Sequence, residues 1–469
     1  MKGNMADLII AHADWLVTVD SDRRIFRDGA LAIEGDKIIA VGASDAVLGN
    51  QRAPRVINAK GKLVLPGLIN AHAHNTQQLA RGLANDCPIQ EWLYGRVYPF
   101  EDSLSSEEAL LNAQLCQLEM IKSGTTCFID PGNRFPDEVA RAVTQSGMRC
   151  VLTRSTMDIH SNPRGDLPQT RFRESTDEAV ARLDDAISRL QGSAGGRIRA
   201  SAGLRNLYTA SDRLVSEVKA LADRHKTFIQ THAAGNHSGP VASLARYGCR
   251  DVERLQRLSV LDDRWLFIHM NWVSPHELDL LTASKAAVAH CPGAGVKGGW
   301  GTFSHGRFPE MIERGICVCV GTDSGPSGNF MDLTRAMYLA ACGFKDSRMQ
   351  AATVTAEDAV EMATINGARA ALWNDNIGSL EVGKKADLCL WDLNRPEWRP
   401  VVNPIGNLVY SADGSSVDTV IVDGSVIVEG GVIKTLDEKA LLREAMPAAQ
   451  RIAKRAGVLH HGKPAWPVE

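Results

Sequence analysis

The chain predicts an α/β protein: a (β/α)8 barrel of the TIM type, plus a small β-sandwich built from both chain ends. Three observations carry this. Short apolar stretches alternate with long amphipathic ones from Pro66 onward. Val/Ile-rich alternating runs broken by Gly, Asp and Asn occupy only the two ends. And 469 residues suit one large domain with a smaller companion.

The N-terminal part of the sandwich is expected over 1–65, where ADLIIAHADWLVTVD, GALAIEGDKIIAVG and RVINAKGKLVLPG read as strands. Gly35-Asp36 marks a hairpin turn. The barrel is expected over 66–375. Its strands are GLINAHAH, TTCFID, RCVLTRS, IRASAGL, TFIQTHA, WLFIHM, AAVAHC and ICVCVGTD. Between them lie helical patterns such as SSEEALLNAQLCQLEMIKSG, capped by Ser105 or Ser106 and closed at Gly124 after Lys122. Eight strands alternating with helices argue for a closed parallel barrel. The open doubly wound rival lacks a GxGxxG loop after a strand. Residues 376–434 return to β texture and complete the sandwich, and 435–469 form a helical tail with Thr435 and Glu438 as a capping box.

Bulk properties exclude several classes. A net charge of −3 offers no electrostatic basis for binding nucleic acid or an anionic membrane. No apolar run spans a bilayer, and MKGNMADLII lacks a signal-peptide layout. The ten scattered cysteines form no CxxC, which fits reduced thiols and a cytoplasmic location. Nucleic acid and membrane are therefore not expected as partners; a small-molecule substrate is, and the Pro-containing C-terminal end, placed to wrap a neighbour, suggests further copies of the chain in a dimer or tetramer.

Ligand-type residues concentrate at strand ends, where barrels of this type carry their active sites. His72 and His74 end the first strand, and alternation points both rings the same way. His232, His269, His290 and Asp323 end later strands. An isolated His-x-His is ordinarily a plain core or surface pair; this many strand ends with such residues point instead to a divalent metal site. The remaining histidines, among them His237, His276 and His305, read as ordinary.

With LVLPGLINAHAH, RGLANDCPIQEWL, MIKSGTTCFID, HCPGAG, VGTDS and ATINGARAALW followed by IGSLEVGKKADLCLWDL, the sequence resembles the amidohydrolase superfamily over nearly its whole length. The branch looks like the cytosine-deaminase and triazine-hydrolase group. That resemblance implies one divalent ion held by His72, His74, His232 and Asp323, with Zn²⁺ as the default and Co²⁺, Fe²⁺ or Mn²⁺ as alternatives. It also implies that His269 and His290 contact the attacking water or the reacting oxygen. The strand RIRASAGLRN lacks the lysine that bridges two metals in binuclear relatives. The expected chemistry is water activated by the metal, with Asp323 as proton acceptor and donor and His269 orienting the attack.

One departure bears on the substrate. Deaminases of this branch carry HxxE after the fifth strand; here the segment is THAAGNHSG, with Gly235 in that place and Asn236 next. Glycine donates no proton to a ring nitrogen. The favoured reading is therefore hydrolysis of an amide, urea, carbamate or thiocarbamate in a small apolar molecule, near in look to hydrolases of phenylureas and of molinate. Asn236 would hydrogen-bond the carbonyl, and Trp92, Trp272, Trp300 and Phe303 would line the pocket. The alternative is an aminohydrolase or chlorohydrolase of a purine, pyrimidine or s-triazine ring, in which Glu91, Asp130 or another carboxylate replaces the missing acid. A non-catalytic metal-stabilised scaffold is the third possibility, disfavoured by the presence of an acid–base aspartate beside the metal.

Overall fold

A computed structural model describes residues 4–162, 165–166 and 174–467. Residues 1–3 of the expected sandwich and 468–469 of the expected tail lie outside that set. Eight parallel strand positions make the barrel: Leu68–Asn70, Thr125–Ile129, Arg149–Leu152, Ile198–Asn206, Ile229–Ala233, Trp265–His269, Ala287–His290 and Val318–Val320. The fourth is broken at Ser201. Its first piece, Ile198–Ala200, pairs with the third strand, and its second, Ala202–Asn206, pairs with the fifth. This break joins the two halves of the ring.

The ring closes between its first and last strands. Ala71 N–H donates to the Val320 carbonyl at 3.0 Å, Asp323 N–H to the His72 carbonyl at 2.9 Å, and His74 N–H to the Asp323 carbonyl at 3.1 Å. The closing hydrogen bonds therefore run through three of the expected metal ligands. Most barrel strands are buried along their whole length, as sheets covered by helices on the outside must be.

The helix Ser106–Lys122 starts as its sequence predicts, with a complete Ser105/Glu108 capping box. Gly124 follows it at φ +87°, a left-handed conformation that only glycine takes without strain. The hairpin at Gly35 joins Ile25–Glu34 to Lys37–Ala43.

The two chain ends form one sheet. Lys62–Pro66 pairs antiparallel with Leu388–Asp392, so residues more than 300 apart in sequence share a ladder. Arg149, fully buried at the start of the third barrel strand, ties this sheet to the barrel. Its guanidinium donates to Asp387 at 2.7 Å and to Asp423 at 2.7 Å. The C-terminal helix Glu438–Arg455 is capped by Asp437, whose side chain accepts from Ala440 N–H, and not by Thr435. Thr435 lies two residues before that cap, and its hydroxyl donates to the Ser146 carbonyl at 2.8 Å.

Candidate metal centre and cavity

Four imidazoles and one carboxylate meet at the C-terminal mouth of the barrel. His72 Nε2 lies 3.5 Å and His74 Nε2 3.6 Å from Asp323 Oδ1, and His269 Nε2 lies 4.0 Å from Oδ2. His232 Nε2 faces His74 Nε2 at 3.3 Å. Two overlapping groups of ligand atoms, His72/His232/His269 and His72/His74/Asp323, each fall within 4.8 Å of one another.

The local backbone is held in uncommon conformations to do this. His269 has φ +78° and Asp323 φ +65°, left-handed values for residues with side chains. Such strain concentrates where surrounding structure enforces it at functional sites.

The electrostatics fit a cation. Burial holds the His74 and His232 imidazoles well below their ordinary range, with neighbouring histidines and Arg205 adding to the effect, so both are neutral donors of lone pairs. Burial likewise brings His269 down to about 4. Burial alone would raise Asp323, but the nearby His72 imidazole, with smaller contributions from His269 and Ser327, outweighs it, and the carboxyl sits below its usual range.

Hydrogen bonding sets the His232 tautomer. Its Nδ1–H donates to the Arg205 carbonyl at 2.6 Å, leaving Nε2 as a lone pair that points at His74. Neither ring nitrogen of buried His72 has a hydrogen-bond partner. A lone pair on His232 Nε2 within 3.3 Å of His74 Nε2, beside an imidazole with no hydrogen-bond partner, suits a shared divalent ion.

The cavity above these groups is lined by His74, His232, His269 and Asp323 on its floor and by Trp92, Tyr94, Tyr98, Tyr208 and Trp300 on its walls. Asn236 lies on its rim. The Asn236 carbonyl oxygen is engaged by Ser238, accepting from its backbone N–H at 2.9 Å.

Three expected residues sit elsewhere. His290 does not line the cavity. Its ring packs on Phe308 at 3.9 Å between centroids, neither nitrogen has a partner, and burial drives it down to about 3. Phe303 packs on Phe344 at 4.8 Å, in the same aromatic cluster behind the strand ends. Trp272 stacks on His305 at 4.1 Å and donates its indole N–H to the Trp300 carbonyl at 2.7 Å. It supports the wall and does not line it.

The carboxylates expected to stand in for the missing acid are also committed elsewhere. Asp130 accepts from Asn75 and Gly132 backbone N–H groups at 3.1 and 2.9 Å and from two asparagine amides, which organise the loop after the second strand. Glu91 pairs with Arg96 at the surface.

Strand-end reasoning missed Arg205. It sits next to last on the fourth strand, where only a lysine was sought. Its guanidinium lines the cavity, and its Nη1 lacks a partner. Asp251, also on the cavity wall, lies on a helix and left no strand-end signal.

Residues 63–427 match the model of the Amidohydrolase family. The chain is 34% identical over 456 residues to the 5'-deoxyadenosine deaminase of Methanosarcina mazei, covering 96% of this chain and 99% of that protein. A zinc-bound adenosine deaminase from Xanthomonas campestris superposes with a TM-score of 0.89 at 28% identity, covering 96% and 100% of the two chains. The zinc-bound atrazine chlorohydrolase of Arthrobacter aurescens shares the fold, with a TM-score of 0.86 at 24% identity over 94% and 100% of the two chains. These matches do not show the nearer likeness to phenylurea and thiocarbamate hydrolases. With strand-end histidines gathered around a divalent-metal site and a match that spans most of the sequence, the chain belongs to the amidohydrolase family as a metal-dependent hydrolase of C–N bonds.

Proposed function

We propose that the protein is an aminohydrolase that replaces the exocyclic amine of an adenine nucleoside with oxygen. This reverses the preference for acyl substrates drawn from the sequence. The observation that carries it is the convergence of His72, His74, His232 and Asp323 beneath a cavity with aromatic walls. Supporting it, a relative matched over 96% of the chain is named for deamination of 5'-deoxyadenosine, and a solved neighbour for deamination of adenosine. Flat aromatic walls suit a purine.

In this reading those four residues hold one divalent ion, zinc first. When bound, that ion acidifies water and polarises the attacked centre. The protein's own groups then move protons. Asp323, held ionised, accepts a proton from the attacking water and returns it to the leaving amine, which departs as ammonia. His269, neutral at physiological pH, orients the water. The Trp92 indole, fixed by donation to the Pro326 carbonyl at 3.3 Å, and Trp300, whose ring stands 5.2 Å from that of His269, flank the base.

Gly235 favours a second reading, hydrolysis of an amide, urea, carbamate or thiocarbamate, because such carbonyls need no ring protonation. One assay separates the two. Zinc-loaded protein is incubated with adenosine and 5'-deoxyadenosine, and in parallel with anilides, phenylureas and thiocarbamates. The nucleosides are expected to release ammonia. Release of amine or thiol from the acyl series, with none from the nucleosides, rejects the aminohydrolase reading in favour of the second.

A further inference from the structure

The aminohydrolase reading leaves one chemical need unmet. A purine carbon is attacked readily only when the adjacent ring nitrogen takes a proton, and Gly235 has none to give. A buried carboxyl lies beside that gap. Asp251, 2% exposed, opens the short helix Asp251–Arg257. Its side chain reaches the loop after the fifth strand, where Oδ2 accepts from Ala234 N–H at 3.3 Å, one residue before Gly235. Oδ1 has no hydrogen-bond partner. The residue lines the same cavity as Gly235, Asn236, His269 and Asp323.

We infer that Asp251 is the general acid of the aminohydrolase, delivering its proton to the ring nitrogen beside the attacked carbon. This rests on the reading above.

The surroundings of Asp251 favour the protonated form. The long bond from Ala234 N–H is its one backbone partner among the described residues. The Ser243 hydroxyl, on the helix Ser238–Tyr247, works against burial and favours the ionised form. Glu277, on the helix Pro275–Ser284, repels it, while Arg254 on its own helix attracts it weakly. Both are committed to other partners: Glu277 to Arg250 at 2.6 Å, and Arg254 to Asp212 at 2.8 Å. Across the cavity stand Arg205, His269 and Asp323. Burial dominates and pushes the Asp251 carboxyl up to about 6. A carboxyl near that value holds a proton and gives it up close to neutral pH.

The proton count closes. Water adds to the ring carbon, its proton passes to Asp323, and the Asp251 proton passes to the ring nitrogen. Asp323 then protonates the amino group, the C–N bond breaks, and ammonia leaves. The remaining hydroxyl proton returns to Asp251 through cavity water. The product is the lactam with its N–H in place, and both carboxyls regain their starting states.

The test compares zinc-loaded wild type with Asp251→Asn, which keeps the size and the oxygen that accepts from Ala234. With 5'-deoxyadenosine, kcat is expected to fall about a hundredfold or more, with KM and zinc content little changed. The wild-type limb in which kcat/KM falls as pH rises through the Asp251 value is expected to vanish. Binding of a 1-deaza analogue, which lacks the accepting nitrogen, supplies a readout independent of turnover. Wild type is expected to prefer the parent nucleoside over it, and Asp251→Ala to lose that preference. Wild-type-like kcat with the alkaline limb intact in Asp251→Asn overturns the inference and leaves the aminohydrolase reading standing. A wild type that releases no ammonia from any nucleoside overturns that reading, and the inference with it.

Discussion

The imidazole of His269 stands over the α-carbon of Gly235. A Cβ placed at 235 would lie 3.1 Å from His269 Cδ2 and 3.3 Å from its Cβ. The glycine therefore does more than omit an acid: it leaves room for a ring that lies 4.0 Å from Asp323. Gly235→Ala is expected to push that ring by a few tenths of an ångström and to lower kcat about tenfold, since small misplacements of reacting groups are costly. Gly235→Glu is expected to release ammonia no faster than Gly235→Ala, because Asp251 already supplies the proton. Steady-state kinetics on both variants checks this; faster release by the glutamate variant counts against Asp251.

Removing His74 takes away a nitrogen that faces both Asp323 and His232. Loss of a mere hydrogen-bond partner to a metal ligand costs about 10–100-fold in affinity, so His74→Ala is expected to lose more. Metal analysis after gel filtration, run beside turnover, should show both falling together. Asp323→Asn is expected to slow turnover by about 10²–10⁴-fold. A variant at either position with normal rates removes that residue from its assigned role.

His290 makes a prediction about acid stability and not about catalysis. Burial lowers it from 6.5 to about 3, so the folded state keeps it neutral where the unfolded state protonates it. Below pH 6.5 the unfolded chain binds more protons, and stability falls as pH falls, down to about 3. The slope from one such group approaches about 1.4 kcal/mol per pH unit. His290→Gln is expected to flatten the stability–pH curve between pH 6 and 4 by up to that amount, as urea titrations at several pH values would measure. An unchanged slope disproves the linkage, whatever the offset.

Arg149 holds barrel to sandwich through Asp387 and Asp423. Arg149→Ala strands two carboxylates, one of them fully buried, and such losses cost about 3–5 kcal/mol. Denaturant midpoints are expected to drop accordingly, with zinc content per folded molecule unchanged. A variant as stable as wild type shows that the pair contributes no net stability.

Local patterns of sequence determined the architecture and brought out most of the candidate metal centre. Alternation and turn residues marked the strands, Ser105 or Ser106 marked a helix start, and histidines closing apolar strands pointed to a metal because strand ends in a parallel barrel share one mouth. What sequence could not decide was everything set by contacts between distant segments. Whether a strand-end side chain faces the cavity depends on register and on which neighbours fill the space. His290 thus went to the aromatic cluster of Phe308 and Phe344 and not to the cavity wall. Thr435 stands two residues before the actual cap, Asp437, and its hydroxyl is anchored instead on the carbonyl of Ser146, far away in sequence. Asp251 carried no signal at all: its weakened acidity and its place beside Gly235 arise only when helix, loop and strand are folded together and water is excluded.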